Sequence, residues 1–78
     1  MLSNTEEIIL KKIDENKTIT KIELRTYLKN NGGKISNEAL DTITKNLIDK
    51  KLVVQINPVG STCFAVTQRG SKFLMDNE

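Results

Sequence analysis

The sequence predicts a small α+β fold with the element order helix, short strand, helix, helix, β-hairpin, helix. Three observations lead to this prediction. Helix-capping sequences stand before amphipathic segments, two apolar runs flank a turn that contains Pro58 and Gly60, and the final segment returns to helical spacing. Because the chain has only 78 residues, we expect a single domain over residues 1–78 with a small, largely aliphatic core.

Capping boxes predict the starts of the first two helices. In a capping box a side-chain hydroxyl accepts a bond from a backbone N–H, and a Glu three residues later bonds back. The first box begins at Ser3 and the second at Thr20. The apolar residues that follow recur at helical spacing. They are Ile9, Leu10, Ile13, Leu24, Tyr27 and Leu28.

The boundaries of these two helices follow from their flanking residues. The first helix should end near Asn16, and the β-branched run 18–20 predicts a brief strand. The second helix should end in the segment 30–33, because its glycines adopt the left-handed conformation of a helix C-terminus without steric cost.

Ser36 is the predicted N-cap of the third helix. Ile35 before the cap and Leu40 in the first turns are expected to pack on each other as a hydrophobic staple. The buried face of this helix is again given by helical spacing. Its members are Leu40, Ile43, Leu47 and Ile48.

The hairpin and the last helix complete the prediction. Strands are expected over 53–56 and 62–66, with a turn over 57–61. Thr67 is the predicted cap of the last helix, which places Gly70 in the first turn although glycine is a poor helix former. A side chain at this position would face back toward the hairpin, and a close approach of two backbone segments there would explain this glycine. The alternative is that Gly70 lies in a loose tail beyond the cap.

Three segments in this order resemble the winged helix-turn-helix superfamily, especially small bacterial regulators of the MarR and PadR type. The segment TKIELRTYL is similar to the second helix, SNEALDTITKNLIDKKLV to the recognition helix and its exit, and VTQRGSKFL to the family's Thr-x-x-Gly-x-x-aromatic-Leu ending. The resemblance implies a winged helix-turn-helix fold, with a three-helix core, a two-stranded β-hairpin wing and a short C-terminal helix.

Lys51 departs from the family pattern, which usually has glycine at this position. Two alternatives remain open from the sequence. Lys51 adopts a left-handed conformation at a cost of roughly 1 kcal/mol, or the exit from the third helix is built differently.

The resemblance also implies that the third helix enters the major groove of DNA. The implied contacts are an adenine edge for each Asn, a thymine methyl for the Thr, and a phosphate or guanine for the Lys. These residues are Asn37, Thr42, Lys45 and Asn46. Glu38 and Asp41 share the outward face and oppose a polyanion unless each accepts a bond from a cytosine amine. A solvated helix surface is therefore the alternative for this face.

The positive charge of the chain is concentrated in one segment. The net charge is +2, whereas residues 16–36 alone carry five basic residues and one acidic residue. Lys21, Arg25 and Lys29 are spaced by four residues and are here called the basic stripe. We expect the stripe to hold the DNA phosphate backbone, with an ordinary solvated face as the alternative.

Catalysis, metal binding and a bound cofactor are not expected. The sequence has no His, its single thiol, Cys63, has no neighbouring base, and no glycine-rich phosphate loop is present. For Cys63 the resemblance suggests a redox sensor, but a strand thiol covered by its neighbours is the simpler interpretation. We expect no signal peptide and no membrane span, and therefore a cytoplasmic protein.

Two functions remain open. The first is a small DNA-binding protein, a transcriptional regulator that binds double-stranded DNA as a homodimer because operators tend to be two-fold. The second is a winged-helix protein–protein interaction module, or an accessory subunit of a replication or transcription complex that does not read DNA sequence. The acids of the third helix and the uncharged turn 57–61 favour the second.

Overall fold

A computed structural model describes residues 4–30, 36–57 and 60–76. Within these residues the chain forms four helices and three strands. In order they are α1 (Asn4–Asn16), β1 (Thr18–Thr20), α2 (Lys21–Asn30), α3 (Asn37–Asp49), β2 (Val53–Ile56), β3 (Cys63–Val66) and α4 (Gln68–Asp76). The predicted α+β element order is confirmed.

The predicted caps of α2 and α3 are present. The Thr20 hydroxyl accepts a bond from the Glu23 N–H at 3.0 Å, and the Glu23 carboxylate accepts one from the Thr20 N–H at 3.3 Å. At α3, the Ser36 hydroxyl accepts a bond from the Ala39 N–H at 3.1 Å. The cap at Ser3, the glycines after α2 and the staple at Ile35 lie outside the described residues.

The strands form one antiparallel sheet with the order β1-β3-β2. The sequence predicted a two-stranded hairpin, and β1 adds a third strand to it by pairing Ile19 with Phe64. Ile19, Phe64 and Val53 are buried. Val53 is the one buried residue of β2, and Val54 and Ile56, whose side chains point to the other face of the strand, remain 44% and 45% exposed.

The core is aliphatic apart from Phe64 and lies between the helices and one face of the sheet. Its fully buried side chains come from α1, β1, α2, α3 and the hairpin. They are Ile9, Leu10, Ile13, Ile19, Leu24, Leu40, Leu47, Val53 and Phe64. Tyr27 packs against this core and carries the Lys12 ammonium 4.6 Å from its ring centroid. This packing fixes α2 and α3 on the same body, which positions the candidate site.

Asp14 ties α1 to α4. Its carboxylate accepts a bond from the Ser71 hydroxyl at 2.6 Å and pairs with the Lys17 ammonium at 3.0 Å. The bond from Ser71, followed by the bond from Lys17, holds the pKa of Asp14 below its usual value. The last helix is thereby held against the first by a polar contact as well as by apolar packing.

The exit from α3 uses a left-handed residue. Lys51 has a φ of 65°, so the first of the two alternatives for this position is the one observed. This conformation lets the Lys51 N–H donate to the Ile48 carbonyl at 2.9 Å and the Leu52 N–H donate to the Leu47 carbonyl at 3.0 Å. The chain then enters β2 directly.

The glycine in α4 is explained by close packing on this exit. Gly70 is buried, and a Cβ built on it would collide with the backbone carbonyl oxygen of Leu52 and lie 2.9 Å from Val66 Cγ2. Thr67 caps the helix by accepting a bond from the Gly70 N–H at 3.0 Å. The predicted backbone approach is therefore present, but its backbone partner is Leu52 in the segment between α3 and β2, and the hairpin contributes only the Val66 side chain.

Replacing Thr67 with valine is expected to destabilise the fold by about 1–2 kcal/mol. The Thr67 hydroxyl accepts from Gly70 and also donates to the Lys51 carbonyl at 2.7 Å or the Leu52 carbonyl at 3.0 Å. Thr67→Val removes these bonds at nearly constant volume, whereas the control Thr67→Ser keeps the hydroxyl. Urea unfolding measures both, and equal midpoints for the two variants would contradict the structural role of the hydroxyl.

Candidate nucleic-acid interface

The basic stripe lies on one face of α2. Arg25 and Lys29 are exposed, and Lys21 is half-buried at the start of the helix. Among the described residues, only Lys21 of these three forms an ion pair. Arg25 and Lys29 therefore present cationic groups that no described carboxylate neutralises.

The outward face of α3 carries the four other candidate residues. Asn37, Thr42, Lys45 and Asn46 are all exposed, while Leu40, Thr44 and Leu47 hold the opposite side of the helix in the core. The Thr42 hydroxyl donates to the Glu38 carbonyl at 3.0 Å, so its methyl group is the part left for apolar contact with a base.

Thr44 is the one buried polar side chain among the described residues. Its hydroxyl lies 2.9 Å from the Leu40 carbonyl and 3.1 Å from the Asp41 carbonyl, both in its own helix. The hydroxyl is thus satisfied locally and needs no ligand. Its role is structural.

An ion pair joins the basic stripe to α3. Lys21 Nζ contacts Asp41 Oδ1, and the two side chains are 32% and 56% exposed. The Lys21 backbone N–H also donates to the Thr62 carbonyl at 2.9 Å, which places the start of α2 beside the hairpin. The pair compensates the charge of Asp41, while Glu38 has no ion pair among the described residues.

A cleft of about 280 Å³ lies between α2, α3 and the hairpin. Lys21, Asp41 and Lys45 line it together with Gln55 and Thr62. The cleft brings one residue of the stripe and one candidate residue of α3 to the same place. Gln55 and Thr62 were not predicted as site residues, because neutral polar residues in a strand or turn carry no distinctive pattern.

The hairpin is uncharged. Residues 53–66 contain no Lys, Arg, Asp or Glu, and the turn residues Pro58 and Val59 lie outside the described part of the chain. Cys63 is only 8% exposed and belongs to the sheet. Cys63 is thus covered, as the simpler interpretation of this thiol expected.

Two kinds of feature are absent from the described ranges 4–30, 36–57 and 60–76. No helix there is long and apolar enough to cross a membrane. No group of three or more His, Cys, Asp or Glu side chains in those ranges lies together in a way that suits a metal ion.

This chain matches known proteins by comparison of structures and not by comparison of sequences. No protein-family model and no curated protein matches the sequence. The reduced form of MarR from E. coli superposes with a TM-score of 0.82 and 18% identity, over 97% of this chain and 54% of MarR. A complex structure of hsRosR gives 0.84 and 18% identity, over 97% of this chain and 67% of that one.

A third similar structure is a winged-helix DNA-binding protein from STIV. It has a TM-score of 0.83 and 25% identity, over 99% of this chain and 86% of that one. Together these similarities show a winged helix-turn-helix fold, in agreement with the prediction from the sequence. The chain spans about half the length of the MarR chain that it matches.

Proposed function

We propose that this winged-helix chain binds double-stranded DNA, with α3 as the recognition helix in the major groove. The observation that carries the proposal is the placement of the candidate residues. All seven lie on the solvent side of α2 and α3, two helices that the Lys21–Asp41 pair joins. The similar protein from STIV is itself a winged-helix DNA-binding protein.

The two helices are proposed to have different tasks. The basic stripe on α2 holds the phosphate backbone, which supplies affinity without regard to sequence. On α3, Asn37 and Asn46 offer amides that suit adenine edges, and the Thr42 methyl suits the methyl of thymine. Lys45 contacts a guanine or a phosphate. The separation follows from charge, because residues 16–36 carry a net charge of +4 and residues 37–51 carry none.

The biological role belongs to the same proposal. Residues 1–78 act as one domain of a transcriptional regulator in the cytoplasm, and two copies bind as a homodimer. A single unit of this size makes few base contacts, whereas a dimer that places two α3 helices in successive major grooves covers two half-sites. This argument supports a homodimer on physical grounds.

Binding to short duplexes of randomised sequence tests the proposal. We expect micromolar affinity at about 50 mM salt, falling linearly on a plot of log affinity against log salt up to about 200 mM, because bound cations release counterions from DNA. Fluorescence anisotropy of labelled duplexes measures both quantities. The absence of binding by micromolar protein at the lowest salt would reject the proposal, since non-specific DNA binders reach that range.

A protein-binding module is the second candidate function. Val54 and Ile56 are 44% and 45% exposed on a hairpin without charged residues, a surface that suits a protein partner better than a phosphate backbone. The duplex experiment also separates the two candidates. A folded chain that binds no duplex would favour the protein-binding module or an accessory subunit that does not read DNA.

A further inference from the structure

We propose that Asp41 is an internal competitor for DNA phosphate at Lys21. Its carboxylate forms an ion pair with one of the three cations of the basic stripe and thereby lowers the sequence-independent affinity of the chain for duplex DNA. This inference rests on the proposed function and adds a residue that limits binding.

The geometry of the pair makes such competition possible. Lys21 Nζ contacts Asp41 Oδ1 between the start of α2 and the outward face of α3. Both side chains are partly exposed, at 32% and 56%, so an incoming phosphate oxygen can reach the same ammonium group. Carboxylate and phosphate oxygens form the same kind of charge-assisted hydrogen bond with a lysine. The ammonium has three N–H donors, so Asp41 and a phosphate compete for its positive charge rather than for a single hydrogen bond.

The backbone holds the two partners in place for this exchange. The Lys21 N–H donates to the Thr62 carbonyl at 2.9 Å, which fixes the start of α2 against the hairpin. Asp41 lies in the second turn of α3, where the Thr44 hydroxyl contacts its carbonyl at 3.1 Å. The contact therefore joins side chains of two helices whose backbones are held, and a change of the lysine rotamer would open it.

Charge compensation makes Lys21 different from its neighbours on the stripe. Arg25 and Lys29 have no ion pair among the described residues, so a phosphate meets them uncompensated. A phosphate that binds Lys21 must either displace Asp41 or lie beside its carboxylate, and in both cases a negative charge remains next to a polyanion. Exposed ion pairs are individually weak. The competitor therefore reduces the contribution of Lys21 without abolishing it.

The test compares Asp41→Asn with Asp49→Asn. Both acids are exposed on α3 and both changes raise the net charge by one, but Asp49 forms no ion pair in the described part of the chain. With randomised duplexes at about 50 mM salt, we expect Asp41→Asn to bind about threefold to tenfold tighter than wild type. Its salt slope should steepen by up to about 0.9, because one more phosphate contact forms. Asp49→Asn should change affinity less and leave the slope unaltered.

A double-mutant cycle shows whether the effect passes through Lys21. In a Lys21→Gln background, the gain from Asp41→Asn should shrink to that of Asp49→Asn. Equal effects of the two Asn variants in the wild-type background would overturn the inference. Persistence of the larger gain without Lys21 would also overturn it, because the carboxylate would then act by general repulsion.

The outcomes also separate this inference from the proposed function. If wild type and both Asn variants all fail to bind duplex, the proposed function fails and the inference falls with it. If wild type binds and the two Asn variants behave alike, only the inference fails. Asp41→Ser, which removes the carboxylate without placing an amide near Lys21, should reproduce the gain in affinity. Circular dichroism checks that each variant is folded.

Discussion

Replacing Gly70 with valine is expected to lower the free energy of unfolding by about 3 kcal/mol. The collision begins at the Cβ atom, which would meet the Leu52 carbonyl oxygen and lie 2.9 Å from Val66 Cγ2. The carbonyl has little freedom to withdraw, because it accepts a bond from the Thr67 N–H at 3.1 Å. Relief therefore requires α4 to move away from the exit of α3, which exposes part of the core.

Urea unfolding followed by circular dichroism measures this effect. Gly70→Ala should also destabilise, because it already introduces the colliding atom. Gln68→Val is the matched control, since it places the same side chain in the same first turn at an exposed position. A wild-type midpoint for Gly70→Val would show that the close approach to Leu52 does not constrain the fold.

Replacing Lys21, Arg25 and Lys29 together with Gln is expected to weaken duplex binding at least tenfold at about 50 mM salt. Each lost phosphate contact should flatten the plot of log affinity against log salt by about 0.9. The part due to Lys21 should be the smallest of the three, because Asp41 already occupies it. Discrimination between sequences should be largely retained, since phosphate contacts carry little sequence information.

The control for this triple change removes three exposed lysines outside α2. Lys11, Lys50 and Lys51 lie on or beside other helices, and their replacement with Gln gives the same change in net charge. This control should leave most of the salt slope intact. If the triple variant keeps the salt slope of wild type, the basic stripe is not part of the interface. The phosphate contacts would then have to be sought at Lys45, Arg69 or Lys72.

Single substitutions on α3 complete the comparison. Replacing Asn37, Thr42 or Lys45 should reduce discrimination between sequences more than it reduces overall affinity. A larger loss of overall affinity than of discrimination would indicate that α3 contacts the phosphate backbone of the DNA.

The sequence by itself determined the order of the helices and strands and the capping residues at which helices begin. The capping box at Thr20 and the cap at Ser36 each act over three residues, so their hydrogen bonds form within the segment that encodes them. Gly70 was also informative, because a glycine in a capped first turn indicates a backbone approach whatever its partner. Helical spacing likewise placed the seven candidate residues on the outward faces of α2 and α3.

Only the tertiary structure decided which distant residues meet. The partner of Gly70 is Leu52, and β1 joins the sheet through β3, although neither pairing has a local signal. Glu38 and Asp41 are alike in the sequence, but Asp41 alone meets Lys21, twenty residues away along the chain. Such contacts depend on how the helices pack around the core. For that reason the sequence predicts the basic stripe and the acidic residues of α3 separately. Only the folded chain brings Lys21 and Asp41 together in one ion pair.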